Sequence, residues 1–319
     1  MSVKPLVLPL DGNAREVLHG LTSRPKKLPP KLFYDAAGSA LFEQITELPE
    51  YYLTATEQAI FERYAPDMVR ASGGASTIIE LGAGTAKKTM LILRAALKLH
   101  RAVTFIPVDL SSYALEVAQH RVRSELPQVA VHPLVQDYTQ QSPALAHLSG
   151  RKLVLYIGSS IGNFEPMAAS ALLRHLRSSL NSGDSLLLGT DMRKPVEVLL
   201  PAYDDAAGVT AQFNLNVLAR INREFDADFD LDAFSHCVIW NERDSRIEMH
   251  LESRTSQVVN IDALDLSVAF AEGETIHTEN SYKFTPSMIE ALAENGGFSI
   301  EQSWSDERSW FSVTLLHAE

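Results

Sequence analysis

An acidic residue and two glycines, in the order Glu80-Leu-Gly82-Ala-Gly84, follow an apolar run that predicts a buried strand. A helix-compatible stretch, 86–99, comes next. Such a strand, turn and helix can bring bare backbone against a nucleotide-bearing cofactor, because glycine has no side chain and adopts left-handed conformations. The turn lacks the third glycine of a dinucleotide fingerprint and the Gly-Lys-Ser/Thr of a phosphate loop, so a pyrophosphate is not favoured there.

Acidic residues also end the next two predicted strands. Asp109 closes the strand predicted for 103–109, about 25 residues after the glycines, where a carboxylate can accept the ribose hydroxyls of an adenosine. Asp137 closes the strand predicted for 129–137, at a place where an adenine amino group could be bound. The spacing therefore favours a cofactor that contains adenosine.

Strands and helices alternate around these residues. A fourth strand, predicted for 152–158, runs into a loop with Gly158 and Asn163, and chemistry is expected at this carboxyl end of the strand. Further helices and strands are predicted at 166–180, 185–191, 286–295, 298–303 and 310–317. We therefore predict an α/β fold with a mainly parallel sheet, helices on both faces and a terminal antiparallel pair of strands.

The chain between 193 and 283 has a different composition. Helical stretches give way to alternating segments such as Arg246–Glu252, which predict an antiparallel sheet. Together with residues 1–56, this insertion is large enough to form a second, α+β domain that binds the substrate. We expect a cofactor-binding domain at 57–192 and 284–319, and a substrate-binding domain at 1–56 and 193–283.

The Glu-x-Gly-x-Gly-Thr turn resembles motif I of class I methyltransferases, whose Rossmann-like sheet binds S-adenosylmethionine (SAM). The resemblance makes SAM the expected cofactor. Taken singly, Asp109 could be a helix N-cap and Lys88 a solvated residue of a first helical turn, so only the joint pattern supports the site. The residues expected to contact SAM are Glu80, Gly82, Gly84, Lys88, Asp109, Asp137 and Gly158.

A more specific resemblance covers most of the chain. The segments that carry it are 31–35, 38–45, 48–52, the turn at Glu80, 158–163, 202–210, 229–234, 246–249 and 278–284. Together they resemble the histidine Nα-methyltransferases of ergothioneine biosynthesis. The family's activity implies three successive SAM-dependent methylations of the α-amine of L-histidine, which give the betaine hercynine.

The same resemblance implies roles for residues outside the glycine turn. Asn163 and Tyr203 are expected to hold the backbone end of the amino acid, and an amide suits this because it offers an acceptor and two donors. Glu279 and Ser281 are expected to bind the imidazole, because residues two apart on a strand share a face and this pair matches the ring's donor and acceptor. The other implied substrate residues are Tyr34, Phe42, Tyr51 and Met249, and the candidate catalytic residues are Asn163, Tyr203 and Tyr34.

Composition limits the partners of the protein. The 319-residue chain has a formal net charge of −12, which argues against nucleic acid because phosphate binding needs a basic surface. The single cysteine, Cys237, cannot form an internal disulfide, and no apolar run approaches the roughly 20 residues of a membrane span. Without a secretory signal, we expect a cytoplasmic protein with a small-molecule substrate and no membrane or obligate protein partner. The histidines show no ligand spacing, so no metal is predicted.

Three alternative functions stay open. A related methyltransferase could act on the α-amine of another amino acid, with changes near Leu53, Met249, His250 or Tyr282 retuning the pocket. A nucleic-acid amine methyltransferase is disfavoured by the charge and by Asn163-Phe-Glu-Pro166, which lacks the Asn/Asp-Pro-Pro-aromatic loop used on a flipped base. A SAM-binding regulator without catalysis would have lost the Asn163, Tyr203 and Glu279 set.

Overall fold

The structure, a computed structural model, describes residues 12–139, 143, 145–148 and 150–319; the expectation about a secretory signal concerns residues outside this range. The helices are α1 (Gly12–Thr22), α2 (Ala36–Ile45), α3 (Tyr52–Ala71), α4 (Thr89–Leu97), α5 (Ser112–Glu125), α6 (Pro166–Ser178), α7 (Val196–Leu199), α8 (Val209–Phe225) and α9 (Pro286–Gly296). The strands are β1 (Lys26–Lys27), β2 (Thr77–Leu81), β3 (Val103–Asp109), β4 (Val129–Val131), β5 (Leu134–Val135), β6 (Lys152–Tyr156), β7 (Ser185–Asp191), β8 (Phe234–Asn241), β9 (Arg246–Ser253), β10 (Gln257–Ile261), β11 (Leu266–Phe270), β12 (Thr275–Tyr282), β13 (Phe298–Ser305) and β14 (Phe311–Ala318).

The chain divides into two compact units. The smaller unit contains the residues up to Phe42, Tyr203–Ile239 and Glu248–Glu279, and the larger contains Glu43–Ala202, Trp240–Ile247 and Asn280–Glu319. These bounds differ from the expected domain bounds, since 43–56, 193–202, 240–247 and 280–283 belong to the larger unit. The assignment of SAM to one unit and of the substrate to the other stays a prediction.

A largely parallel sheet forms the centre of the larger unit. Its strand order is β13-β14-β7-β6-β2-β3-β4, and β5 also pairs with β3. β2, β6 and β7 are buried at every residue because apolar side chains cover both faces. Phe61 of α3 and Met90 of α4 pack on one face, and Leu173 of α6 and Ile289 of α9 pack on the other. The predicted α/β class is confirmed, including the antiparallel β13–β14 pair at the edge.

Two predicted elements differ from the structure. The strand expected over 129–137 is divided into β4 and β5 around His132 and Pro133, because proline has no N–H to continue the ladder. The helix expected from residue 86 begins at Thr89, since Ala86 has a φ of 54° and therefore lies outside helical geometry. Both differences lie where the chain turns at the carboxyl edge of the sheet.

A second, four-stranded sheet has the order β1-β12-β9-β8, and β10 and β11 form a separate antiparallel pair. The sheet contains the predicted Arg246–Glu252 segment as part of β9. The burial of β9 and β12 alternates in part, as expected for strands that cover a core on one face. No helix in the described ranges is both long and apolar enough to cross a membrane.

A buried ion pair joins β6 to the turn before β7. The Nζ of Lys152 lies 2.9 Å from Oδ2 of Asp184, and the backbone N–H of Lys152 donates to Oδ1 at 2.9 Å. Neither side chain is more than 3% exposed. The pair therefore fixes the start of two neighbouring parallel strands.

Asp184→Ala should lower the free energy of unfolding by about 3–5 kcal/mol, because it leaves the buried Lys152 ammonium without its carboxylate. Urea denaturation measures the loss. Adding Lys152→Met should restore part of it, since methionine fills the space without a charge. Equal loss in the single and double variants would contradict this cause.

Candidate active site

The glycine turn is held against the end of β3. The N–H groups of Gly82 and Ala83 donate to the carbonyl of Val108 at 2.8 and 3.1 Å. Gly82 and Gly84 have φ values of 71° and 48°, a region that favours glycine. A Cβ built on Gly84 would meet no atom within 4 Å, so the backbone there borders open space. This is what the approach of a ligand to bare backbone requires.

Asp109 joins this turn to the next helix. Its Oδ2 accepts from the Gly84 N–H at 2.9 Å and its Oδ1 from the Ser111 N–H at 2.9 Å. The N-cap of α5 is Ser111, whose Oγ accepts from the Ala114 N–H at 3.2 Å, so Asp109 does not have that role. An ionised carboxylate has about four acceptor positions, which leaves capacity for ribose hydroxyls.

Asp137 follows β5 at the same sheet edge, because Asp109 pairs with Val135 in the β3–β5 ladder. Its Oδ1 accepts from the Thr139 N–H at 3.0 Å, so the carboxylate shapes a turn of its own. Asp137 lies outside a strand, because β5 ends at Val135.

Glu80 is turned inward. Its carboxyl group is 3% exposed and accepts from the hydroxyl of Thr89, the first residue of α4. Burial raises the pKa of Glu80 to about 8, and the charges of Glu57 and Asp109 add to the rise, against the effects of Thr89 and Lys88. At neutral pH the group is therefore mostly protonated, and it links β2 to α4 as a neutral acid.

A candidate site residue that the sequence analysis missed is Glu57 of α3. This carboxylate is fully buried, accepts the N–H of Gly158 at 2.9 and 3.0 Å, and forms an ion pair with Lys88. It thus brings two of the expected cofactor residues to one group. A Cβ atom added to Gly189 of β7 would lie 2.4 Å from Glu57 Oε1, so the absence of a side chain at Gly189 makes space for the Glu57 carboxylate.

The sequence does contain a signal for Glu57. It shares one buried helix face with Leu53, Ile60 and Phe61, at spacings of three and four residues. An acid on an apolar helix face needs a partner, because an unpaired buried charge is costly. That argument would have selected Glu57 without identifying Lys88 or Gly158.

The loop that carries Asn163 is a short 3-10 helix, Ser160–Asn163, after β6. Ser159, with a φ of 59°, starts it, and its Oγ accepts from the Asp191 N–H at 2.9 Å. A Cβ on Gly162 would lie 3.0 Å from the carbonyl oxygen of Tyr282, so the loop packs closely on the end of β12. Asn163 is therefore placed at the carboxyl edge of the sheet by contacts on both sides.

Ser281 reaches a buried charged network in the larger unit. Lys283 donates from Nζ to Ser281 Oγ at 2.7 Å and lies 2.8 Å from Oδ2 of Asp191. The same carboxylate accepts from the Tyr52 hydroxyl at 2.7 Å and pairs with Lys194.

Tyr51, the expected substrate residue before Tyr52, is half-buried, and its N–H donates to the carbonyl of Leu48 at 3.1 Å.

In the smaller unit, Tyr34 and Phe42 belong to one aromatic cluster. Their ring centroids are 5.7 Å apart in an edge-to-face arrangement, and both rings contact Phe213 of α8 at 5.8 and 5.9 Å. Phe33 stacks on the same Phe213 ring at 4.5 Å. This packing fixes the planes of both expected substrate residues.

Tyr203 is fixed through its backbone. His236 Nε2 lies 2.8 Å from the Tyr203 carbonyl oxygen, and its Nδ1 lies 2.8 Å from the Asn214 amide nitrogen. Burial lowers the pKa of His236, so the ring is neutral, with Nε2–H donating and Nδ1 accepting. Asn214 in turn accepts from the Thr278 hydroxyl at 2.7 Å.

Met249 and Glu279 lie on neighbouring strands in the same unit. Met249 is 2% exposed, and its carbonyl accepts from the Thr278 hydroxyl at 3.0 Å. Glu279, the next residue of β12, is 9% exposed. The same hydrogen-bonded group thus supports Tyr203, Met249 and the strand that carries Glu279.

One cluster was not visible in the sequence spacing. Glu248, His250 and His277 each offer a possible metal-ligand atom within 4.8 Å of the others. The two histidine rings are stacked, 4.7 Å apart at 20°, so their in-plane lone pairs run side by side, and a shared cation would require one ring to turn. His250 and His277 hydrogen-bond to Glu248 and to the Glu279 carbonyl at 3.2 and 3.0 Å. The absence of a metal stays a prediction.

Comparison with solved structures supports the fold. The chain is similar to the PH0226 protein from Pyrococcus horikoshii OT3, with a TM-score of 0.50 and 14% identity, over 87% of this chain and 98% of that one. A largely parallel sheet with an open glycine turn and an acid at the tip of the next strand is typical of class I SAM-dependent methyltransferases.

Comparison with protein families assigns the chain more narrowly within this class. The model of SAM-dependent, histidine-specific methyltransferases matches residues 13–318, and the chain belongs to that family. It is 46% identical to the histidine N-alpha-methyltransferase of Mycolicibacterium smegmatis, over 94% of this chain and 93% of the relative. It is 42% identical to the enzyme of that name from Mycobacterium tuberculosis, with the same coverage.

Glu80→Gln should make the free energy of unfolding less dependent on pH. Folded Glu80 holds a proton up to about pH 8, whereas an ordinary glutamate releases it near pH 4.5. The folded state therefore binds the extra proton in this window, and the stabilisation is full below it and lost as the pH rises through about 8. Urea denaturation of the SAM-free protein across the window measures the slope.

The control for the Glu80 experiment is Glu62→Gln, the same change at an exposed position of α3. Identical slopes for wild type and Glu80→Gln would contradict the assignment of the proton to Glu80.

Proposed function

We propose that this protein transfers three methyl groups from SAM to the α-amine of L-histidine and forms hercynine, the first step of ergothioneine biosynthesis. The observation that carries the proposal is membership of the histidine-specific family over residues 13–318. The presence of Asn163, Tyr203, Glu279 and Ser281, for which the family resemblance implies substrate contacts, supports it further.

The cofactor is held by the larger unit in this proposal. The open backbone at Gly84 and the acceptor capacity of Asp109 fit an adenosine, and Lys88 and Gly158 are fixed beside them by Glu57. Bound SAM supplies an electrophilic methyl group. The protein's task is then to present a neutral amine in line with that group and to exclude water.

Asn163 suits the amine because it is uncharged. An α-amine has a pKa near ~8 in model peptides, so a neutral fraction exists at physiological pH. A carboxylate beside the amine would stabilise the ammonium form and remove the lone pair, whereas an amide orients the nitrogen without that penalty. Tyr203 and Tyr34 are the other candidate catalytic residues, with Tyr203 fixed by His236 and Tyr34 by the aromatic cluster.

Side-chain recognition falls to Glu279 and Ser281 in this proposal. A neutral imidazole has one N–H and one bare nitrogen, which a carboxylate and a hydroxyl can satisfy together. An apolar substrate ring would leave the mostly buried Glu279 unpaired, and that cost favours histidine. Tyr51, Phe42 and Met249 complete the set of proposed substrate contacts.

We also infer that the enzyme works in the cytoplasm and needs no nucleic acid, membrane or obligate protein partner. The net charge of −12 supports the first of these exclusions, because polyanions are repelled by such a surface.

Purified protein with SAM should convert L-histidine to its mono-, di- and trimethyl forms. Mass spectrometry with each of the twenty amino acids provides the measurement, with reactions lacking SAM as controls. Transfer to a different amino acid alone would move the substrate assignment to the related-methyltransferase alternative. A protein that binds SAM but modifies none of the twenty would support the regulator.

Glu279→Ala should weaken histidine binding by about 1–3 kcal/mol, because the ring N–H loses its charged acceptor. SAM affinity should stay near the wild-type value. Calorimetric titration with each ligand separates the two effects, and Glu272→Ala, at an exposed position, controls for loss of one negative charge. Equal losses for both ligands would count against the role of Glu279.

A further inference from the structure

Lys283 is buried at 0% exposure and touches the proposed imidazole-binding hydroxyl. Its Nζ lies 2.7 Å from Ser281 Oγ and 2.8 Å from Asp191 Oδ2. A lysine ammonium has donors and no acceptor, so in this contact Ser281 must be the acceptor. The single hydroxyl hydrogen of Ser281 is therefore directed away from Lys283.

Asp191 keeps the lysine in place. This carboxylate is fully buried and also accepts from the Tyr52 hydroxyl at 2.7 Å and from Lys194. Tyr52 receives a further hydrogen bond from Lys194 at 2.9 Å. Since Asp191, Tyr52 and Ser281 are buried, the ammonium of Lys283 is held against Ser281 Oγ, and the hydroxyl hydrogen stays on the side away from Lys283.

A second lysine also contacts Asp191. Two lysines, Lys194 and Lys283, share one aspartate, and burial lowers the pKa of Lys194 to about 8, with Asp191 opposing the fall and Lys283 adding to it. Asp306 is a further acid that acts on Lys194. Lys194 is thus a second cation on the same carboxylate, and its described hydrogen bonds go to Asp191, Tyr52 and the Met192 carbonyl.

We propose that Lys283 is a positioning residue that fixes the Ser281 hydroxyl as a donor, so that the enzyme selects histidine with a neutral imidazole. This rests on the proposed function, in which Ser281 binds the ring. Ser281 then donates to the bare ring nitrogen, and Glu279 accepts from the ring N–H. An imidazolium has two N–H groups and offers Ser281 no acceptor.

The first experiment tests whether Lys283 acts through Ser281. In the wild-type background, Lys283→Met should raise the KM for histidine about tenfold, by the loss of one oriented hydrogen bond. In a Ser281→Ala background the same change should raise it less than about twofold, because coupled residues are not additive. An equal rise in both backgrounds would overturn the proposal.

The second experiment compares histidine with its analogue in which a 1,2,4-triazole replaces the imidazole. The triazole ring stays uncharged over the pH range of the experiment. The α-amines of the two substrates titrate alike, so the ratio of their KM values isolates the ring. For wild type, the ratio should rise about tenfold from about pH 7.5 to about pH 5.5, across the imidazole pKa near ~6.5. A ratio that does not change would overturn the proposal without any variant.

Lys283→Met should flatten this rise to less than about threefold, because the Ser281 hydroxyl can then turn and accept. The matched control is Lys194→Met, which removes the other lysine of Asp191; its described hydrogen bonds go to Asp191, Tyr52 and the Met192 carbonyl. This control should keep the wild-type rise, and equal flattening in both variants would mean that the charge of the network acts without Ser281.

SAM affinity, measured by calorimetry for each variant, reports whether the larger unit is intact. If SAM affinity and the KM for histidine change in parallel, Lys283 is structural and the proposal is wrong. If the wild-type protein does not methylate histidine at all, the proposed function has failed, and the positioning role of Lys283 fails with it. Methylation of histidine with an unchanged pH ratio removes the positioning role alone.

Discussion

The buried carboxylate of Asp191 is the group on which the carboxyl edge of the sheet depends. Its side chain accepts from Tyr52 at the start of α3 and pairs with Lys194 and Lys283. Its backbone N–H donates to Ser159 at 2.9 Å, and its carbonyl accepts from Phe284 at 2.8 Å. One residue therefore joins β7 to the Asn163 loop, to α3 and to the chain after β12. Removing the charge would leave two buried ammonium groups with one partner fewer, which costs more than the pair contributes to stability.

Glu57 of α3 has a similar role at β6, the strand next to β7, because its carboxylate fixes the chain where that strand ends. Parallel strands end with N–H groups that the ladder no longer satisfies, and the N–H of Gly158 is such a group. The Glu57 carboxylate accepts it with both oxygens and holds Lys88 through its charge. A buried ion pair is weak support for stability, but it specifies geometry strongly because each misplaced partner is penalised. The ion pairs of Glu57 and of Asp191 therefore fix the loops at the carboxyl edge of the sheet.

The sequence predicted the helices and strands better than the side-chain contacts between them. β3 and β7 have the predicted bounds, because buried parallel strands are continuous apolar runs that end in recognisable acids. The division of the third strand at Pro133 follows from the chemistry of proline and could have been anticipated. Asp191 and Tyr52 are 139 residues apart, and Glu57 and Gly158 are 101 apart. No sequence periodicity connects positions so far apart. The contacts of the expected site residues could therefore be identified only from the folded structure.

The acids near the glycine turn have different partners, and this bears on the proposed methyl transfer. Asp109 accepts two backbone N–H groups, and Glu57 is neutralised by Lys88, while burial raises the pKa of Glu80 to about 8. Bound SAM would bring a sulfonium whose positive charge is lost when its methyl group is transferred. A further ionised carboxylate at the turn, in addition to Asp109, would stabilise the sulfonium before transfer more than during it, and so would add to the barrier. A neutral Glu80 keeps its hydrogen bond to Thr89 without this opposing effect, which gives a physical reason for an acid buried so completely in the proposed SAM site.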